Sequence, residues 1–247
     1  MSRVLVRPLN ALGGPGNNPL NGGYFADSFQ RGDQPFFTGD KWQTVLTGET
    51  GFVGVQIEAM INVSGNNLVL TGPGAGSTVY VYLMPTPLNY YQLSTHAQFA
   101  EAEYRGDTAV GALNSQSGPC VFAQPNTDVA VEGMEMYGAN TFWDGVNKTL
   151  YLCRGNLGAV NVPGGATTIV SGDVCRVECT PFPTFNRVAY FKNGVQIATA
   201  DDNSGNRPLF GMPGFNFGLL AAGITSSWRN FKCGVLPQLS TVPNWPL

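Results

Sequence analysis

The sequence predicts an all-β fold, a sandwich of two antiparallel sheets. Three observations carry this expectation. About a dozen short runs rich in Val, Ile, Thr, Tyr and Phe are separated by Gly, Asn, Pro and Ser, the punctuation of a β-sandwich. No long stretch repeats its apolar residues at helical spacing. Asn193-Gly194 stands between two alternating runs, 188–191 and 195–197, as in a type I′ hairpin whose two central residues both need positive φ.

Taken in order, residues 1–23 read as an arm. MSRVLVRPL has the length of one short strand, and ALGGPGNNPLNGG behind it is turn and linker composition. So short a strand buries too little to offset its ordering entropy alone. It is therefore expected to dock on a neighbouring surface, with Arg3, Val4, Leu5, Val6 and Arg7 making assembly contacts.

The domain proper is expected over 24–236. It opens YFADSFQRGDQPFFTGDKWQTV, in which Phe25, Asp27, Phe29 and Arg31 fall at every second position and Trp42 follows. Asp27 and Arg31 cannot both be buried unless they are paired. Strands are expected over 51–63, 68–70 and 78–84, the last (TVYVYLM) being the most β-prone run in the chain. Residues 90–105, YYQLSTHAQFAEAEYR, fit either a helix or a strand. Further strands are expected over 110–113, 120–123, 129–136, 149–154, 168–170 and 175–180. After the hairpin come an Asp pair, a Gly/Pro loop GMPG at 211–214, and strands over 215–220 and 227–234. The tail 237–247 carries three prolines and Trp245, so it reads as an extended strap with Trp245 as an assembly contact.

Composition narrows the function. The 247 residues are 43% hydrophobic, enough for one large core, and only 12% charged. A net charge of −3 leaves no basic footprint for nucleic acid, and no apolar run is long enough to span a bilayer as a helix. The N-terminal MSRVLVRPLNALGG has no continuous apolar core and no small-residue cleavage site, so no secretory signal is expected. Cys175 and Cys179, four apart, would sit about 13 Å from each other on a strand, too far to bridge. The five cysteines are expected to be reduced and mostly buried, in a chain made in a cytoplasm.

The order of strand, Asn-Gly turn, strand, Asp pair, GMPG loop and strand over 186–220 resembles the C-terminal half of concanavalin A-like (laminin-G/glucanase-like) β-sandwich domains, including those of bacteriophage virion structural proteins. The opening Asp27-x-Phe29-x-Arg31 with Trp42 resembles the first strand and loop of the same family. The resemblance implies a jelly-roll sandwich with extended N- and C-terminal arms. It also implies a strand at 90–105, and a last strand that returns to pair beside the first.

Few residues suggest chemistry. Glu132 and Glu135 resemble the paired acids of glycoside hydrolases of this fold, but a spacing of three puts them on opposite faces of a regular strand, and the intervening Asp is absent. His96 is the only histidine, so a nucleophile has no second candidate base, and it reads as an ordinary strand residue. Asp201, Asp202 and Asn203 form an oxygen-rich stretch of the type that holds calcium in this family, and equally a turn; no other cofactor is expected. Trp143 and Asp144, in an expected loop, with Tyr90 and Tyr91, are the candidate carbohydrate-binding residues.

Together these readings point to a non-enzymatic structural protein of a virion, a capsid decoration or a head or tail fibre component of a bacteriophage, displaying a lectin-like sandwich. Its expected partners are other virion proteins such as the capsid protein, and further copies of itself as a homo-oligomer. The alternative is an adhesion module that binds host-surface glycans, and a glycoside hydrolase ranks behind both.

Overall fold

The computed structural model of the chain describes residues 24–35, 42–47, 61–71, 79–85, 96–107, 116–123, 136–143, 148–154, 160–161, 166–205, 207–209, 211–219 and 225–236. The expected arm 1–23 and tail 237–247, with Arg3, Val4, Leu5, Val6, Arg7 and Trp245, lie outside these residues, as does the strand expected at 110–113.

Every regular element among the described residues is a strand. The larger sheet contains β1 (Tyr24–Asp27), β2 (Gln34–Pro35), β4 (Ile61–Ser64), β5 (Asn67–Thr71), β7 (Gln98–Asp107), β13 (Val174–Pro181), β14 (Asn186–Lys192), β15 (Val195–Asp202) and β17 (Thr225–Val235). The second contains β3 (Trp42–Thr47), β6 (Val79–Pro85), β8 (Gln116–Ala123), β9 (Tyr137–Trp143), β10 (Lys148–Arg154), β11 (Val160–Asn161), β12 (Thr167–Thr168) and β16 (Met212–Leu219). The larger sheet runs β15-β14-β13-β7-β17-β5-β4-β2 and the second β11-β10-β9-β8-β16-β6-β3, with β12 on β10. All described pairings are antiparallel, and β1 lies beside β17, so the last strand does return to the first.

The hairpin forms as expected. Asn193 and Gly194 have φ of 52° and 78°, and Asn193 accepts the Val174 amide at 2.8 Å. Strand β7 settles the ambiguity at 98–105 in favour of a strand, because Ala100, Ala102 and Tyr104 alternate into the core. On β13 Cys175, Val177 and Cys179 do the same. Cys120, Cys175, Cys179 and Cys233 are buried thiols, and burial pushes those of Cys175, Cys179 and Cys233 far above their ordinary range.

Aromatic side chains lock the sheets together. Trp228 is fully buried, with Tyr104 and Phe215 rings at 5.2 and 5.1 Å, and Nε1 donates to the hydroxyls of Ser117 (3.1 Å) and Ser226 (3.0 Å). Trp42 packs edge-on against Phe25 and Phe231 at 5.2 and 5.0 Å and stacks on Phe29. The Tyr137 hydroxyl of β9 donates to Asp202 of β15 at 2.6 Å and accepts from Asn186 of β14 at 3.1 Å.

Three expectations need correction, and one strand was not foreseen. The segment 137–143 is a strand, although residues 136–141 are buried throughout and so carry no alternation. Trp143 therefore ends a strand, paired with Lys148, and is not itself a loop residue. GMPG is not a separate loop, because Met212, Pro213 and Gly214 belong to β16. The register against β8 shifts between Met212 and Gly214, and at such a bulge the missing N–H of Pro213 costs no ladder bond. His96 lies in a bend ahead of β7 and not in a strand.

Candidate functional site

The alternation that buries Ala100, Ala102, Cys175, Val177 and Cys233 leaves the residues between them on the outer face of the larger sheet. The register places Ala26, Lys232, Glu101 and Arg176 side by side across β1, β17, β7 and β13. The neighbouring row is Tyr24, Gly234, Phe99 and Glu178. Gly234 has no side chain, and over it the rings of Tyr24 and Phe99 approach to 6.4 Å. The Arg176 guanidinium stacks 4.0 Å from the Phe99 centroid.

Every carboxylate in these two rows and beside them has a cation. Glu101 accepts from Lys232 at 3.2 Å and lies 3.6 Å from Arg176. Glu178 accepts from Arg176 Nε at 2.7 Å. Glu103 accepts from Arg229 at 2.6 Å, Arg105 at 3.1 Å and the Asn230 amide at 2.8 Å. The Arg229 hydrogen bond, followed by those of Asn230 and Arg105, holds the Glu103 carboxyl below its ordinary value despite partial burial.

Arg229 opposes Glu103 while Lys232 opposes Glu101, so β17 carries one residue more than β7 between these rungs. Asn230 sits in this bulge with φ of 53°, an uncommon conformation for a non-glycine residue. Beside the bulge lies a cavity of about 210 Å³ lined by Ala26, Asp27, Ser28, Glu101, Glu103, Val174, Asn230, Phe231 and Lys232.

The second sheet carries a different arrangement. Asn140 of β9 and Asn216 of β16 lie on either side of Gly118 of β8, and their amides bond reciprocally at 3.0 and 2.9 Å. Asn216 also donates to the Gly118 carbonyl at 3.0 Å. A side chain at Gly118 would meet the Ala139 carbonyl oxygen at 2.0 Å, so only glycine fits this rung. None of the eight strands of this sheet contains an Asp or a Glu.

Asp201 and Asp202 lie at the end of β15 on opposite faces, not in a loop. Asp201 spends both oxygens on Arg187 at 2.7 Å each, and Asp202 holds Tyr137 and Ser204, while Asn203 is exposed. Among the described residues no three His, Cys, Asp or Glu side chains are placed to hold a metal. Tyr90, Tyr91, Asp144, Glu132 and Glu135 lie outside the described residues, and of Trp143 only the strand position is described.

The sequence reading did not single out Glu101, Glu103, Arg176, Lys232 or Asn230 as a group. Strands β7 and β13 show their charged residues at alternate positions, which is the available signal, whereas Arg229 and Lys232 on β17 are three apart. Their convergence depends on β7, β13 and β17 being neighbours, and that is a property of topology.

No protein-family model matches the chain, and no curated protein matches it. Among solved structures it is similar to an endo-1,3-beta-glucanase from Streptomyces sioyaensis, at 12% identity over 87% of this chain and 98% of that one, TM-score 0.55. It is similar also to a laminarinase from Flavobacterium sp. UMI-01, at 8% identity over 86% and 99%, TM-score 0.52. A lectin from Bauhinia forficata in complex with GalNAc aligns at 8% identity over 87% and 98%, TM-score 0.49. The first two, with the all-β topology, show the fold to be a concanavalin A-like sandwich of two antiparallel sheets. The fold alone does not decide between catalysis and binding.

Proposed function

We propose that the chain is a non-enzymatic structural protein of a virion, a decoration or fibre component of a bacteriophage particle. In this reading the sandwich faces outward, and residues 1–23 and 237–247 make the attachment. The virion assignment rests on the resemblance of the 24–42 and 186–220 motifs to virion sandwich modules.

The observation that carries the non-enzymatic part is the placement of the carboxylates. Retaining and inverting glycosidases need two carboxyl groups across the scissile bond, one of them held protonated by a raised pKa. The second sheet has no acid on any described strand. On the larger sheet Glu101 and Glu103 share a face, but Lys232 and Arg176 neutralise the first while Arg229 keeps the second ionised. Glu103 is thus not arranged to deliver a proton. Incubation of the purified chain with a panel of β-glucans and other polysaccharides is expected to release no reducing sugar. Release that is lost in Glu101→Gln, Glu103→Gln, Glu132→Gln or Glu135→Gln would contradict this reading.

A second reading, binding of host-surface glycans, is favoured by the exposed Tyr24, at 59%, beside a rim of hydrogen-bonding groups. A glycan array probed with the full chain tests it.

A further inference from the structure

We infer that the bulge of β17 on the outer face of the larger sheet is a binding site for one neutral sugar ring, separate from Trp143. The inference deepens the glycan-binding reading and rests on it. Three observations meet at this place.

The first is shape. The extra residue at Asn230, in a left-handed conformation, interrupts the ladder of β17 with β7 while that with β1 continues, and the cavity of about 210 Å³ lies beside it. That is below the range of about 300–1,000 Å³ that encloses drug-sized ligands, so it suits a single small ring and not an oligomer bound whole.

The second is hydrogen-bonding capacity. Ala26 and Val174 give an apolar floor, and Ser28, Glu101, Asn230 and Lys232 give a polar rim. A carboxylate offers about four lone-pair sites and an ammonium three donors; Glu101 meets Lys232 through one oxygen and Arg176 at 3.6 Å through the other, which leaves lone pairs on Glu101 and donors on Lys232 unspent. An acceptor beside a donor matches vicinal hydroxyls, each of which donates and accepts. Each acid lining the cavity already has a cation beside it, so an ionic ligand gains little here.

The third is Tyr24. Two residues before Ala26 on the same face, it is 59% exposed while its ring is braced against Phe99, which Arg176 in turn stacks upon. A held, solvent-facing aromatic ring next to polar groups matches the C–H face of a pyranose, with the phenol hydroxyl in water.

The test is NMR titration of the full chain with the methyl glycosides of glucose, galactose and N-acetylglucosamine, and with sialic acid as an anionic control. With ligand up to about 20 mM, at least one neutral glycoside is expected to shift the amides of Ala26, Glu101 and Lys232 saturably, while sialic acid leaves them unmoved. Tyr24→Ala and Lys232→Met, both at exposed side chains, are each expected to weaken binding about tenfold with an unchanged melt. Trp143→Ala is expected to leave it intact. The inference is overturned if no neutral glycoside moves those amides, if sialic acid moves them equally, or if both rim variants bind like the parent. Shifts confined to the surroundings of Trp143 would overturn this site while leaving the glycan-binding reading standing.

Discussion

Asp27 and Trp42 join the two sheets directly: the indole Nε1 at the start of β3 donates to the Asp27 carboxylate at the end of β1, at 2.9 Å. The same carboxylate accepts from Arg31 at 2.9 Å and from the Phe29 amide at 2.8 Å, and Asp27 is 6% exposed. The alternating Asp-x-Phe-x-Arg segment is thus a turn folded around one buried acid. Asp27→Ala takes this acceptor from a buried indole and from a partly buried guanidinium, and is expected to cost about 3 kcal/mol. Asp27→Asn keeps an acceptor and should cost less. Denaturant unfolding of the three proteins checks the order; equal stabilities would detach the cluster from the fold.

The Asn193-Gly194 turn gives a second test. Gly194 has φ of 78° with nothing near its missing Cβ, so any penalty there is conformational and not steric crowding. Gly194→Val is expected to cost about 1–2 kcal/mol, and Gly194→Asn less, because Asn tolerates the left-handed region. Equal melting temperatures for the two variants would contradict the turn assignment.

Glu103 supplies a pH signature. Its folded-state pKa lies below its ordinary 4.5, chiefly through Arg229. The folded state therefore binds its proton more weakly than the unfolded chain, and the contribution to stability is fully present above the ordinary value. It is lost as pH falls from there through the lower folded-state value. Asp173 adds in the same sense: burial alone would raise it, but the Val170 amide, Asn193 and Lys192 together bring it down. Stability is expected to decline on acidification below about pH 4.5, and Glu103→Gln should flatten that decline. A parallel acid limb in parent and variant would contradict the assignment.

Much of the fold was legible because half-buried strands advertise themselves. The alternation of Ala100, Ala102 and Tyr104 with charged residues is visible in one dimension, and so is Asn193-Gly194. Strand β9 was not legible. Gly138, Ala139 and Asn140 have little β-propensity, and a strand covered on both sides shows no period of two. Asp201 and Asp202 read as loop residues for the complementary reason: turn-type residues end a strand here, and their partners Arg187 and Tyr137 come from other strands. The cavity was invisible because Ala26, Glu101 and Lys232 become neighbours only once β1, β17 and β7 pair.

The proposed virion role is tested most directly by sedimentation with particles. Residues 1–23 precede β1, and the arm MSRVLVRPL carries Val4, Leu5, Val6 and Leu9 with two arginines and no acid. In this proposal the segment gains order by adding to a sheet edge of a neighbouring subunit, where main-chain hydrogen bonds give affinity. The measurement is co-sedimentation of the chain with gradient-purified particles, for the full chain and for one lacking residues 1–22, alongside a thermal melt of each free protein. The expected result is that the full chain travels with the particles and the truncated chain does not, with the two melts alike. Absence of the full chain from the particles would contradict the virion role. Undiminished binding of the truncated chain would contradict attachment through the arm, and a collapsed melt would place the segment in the domain's own sheet.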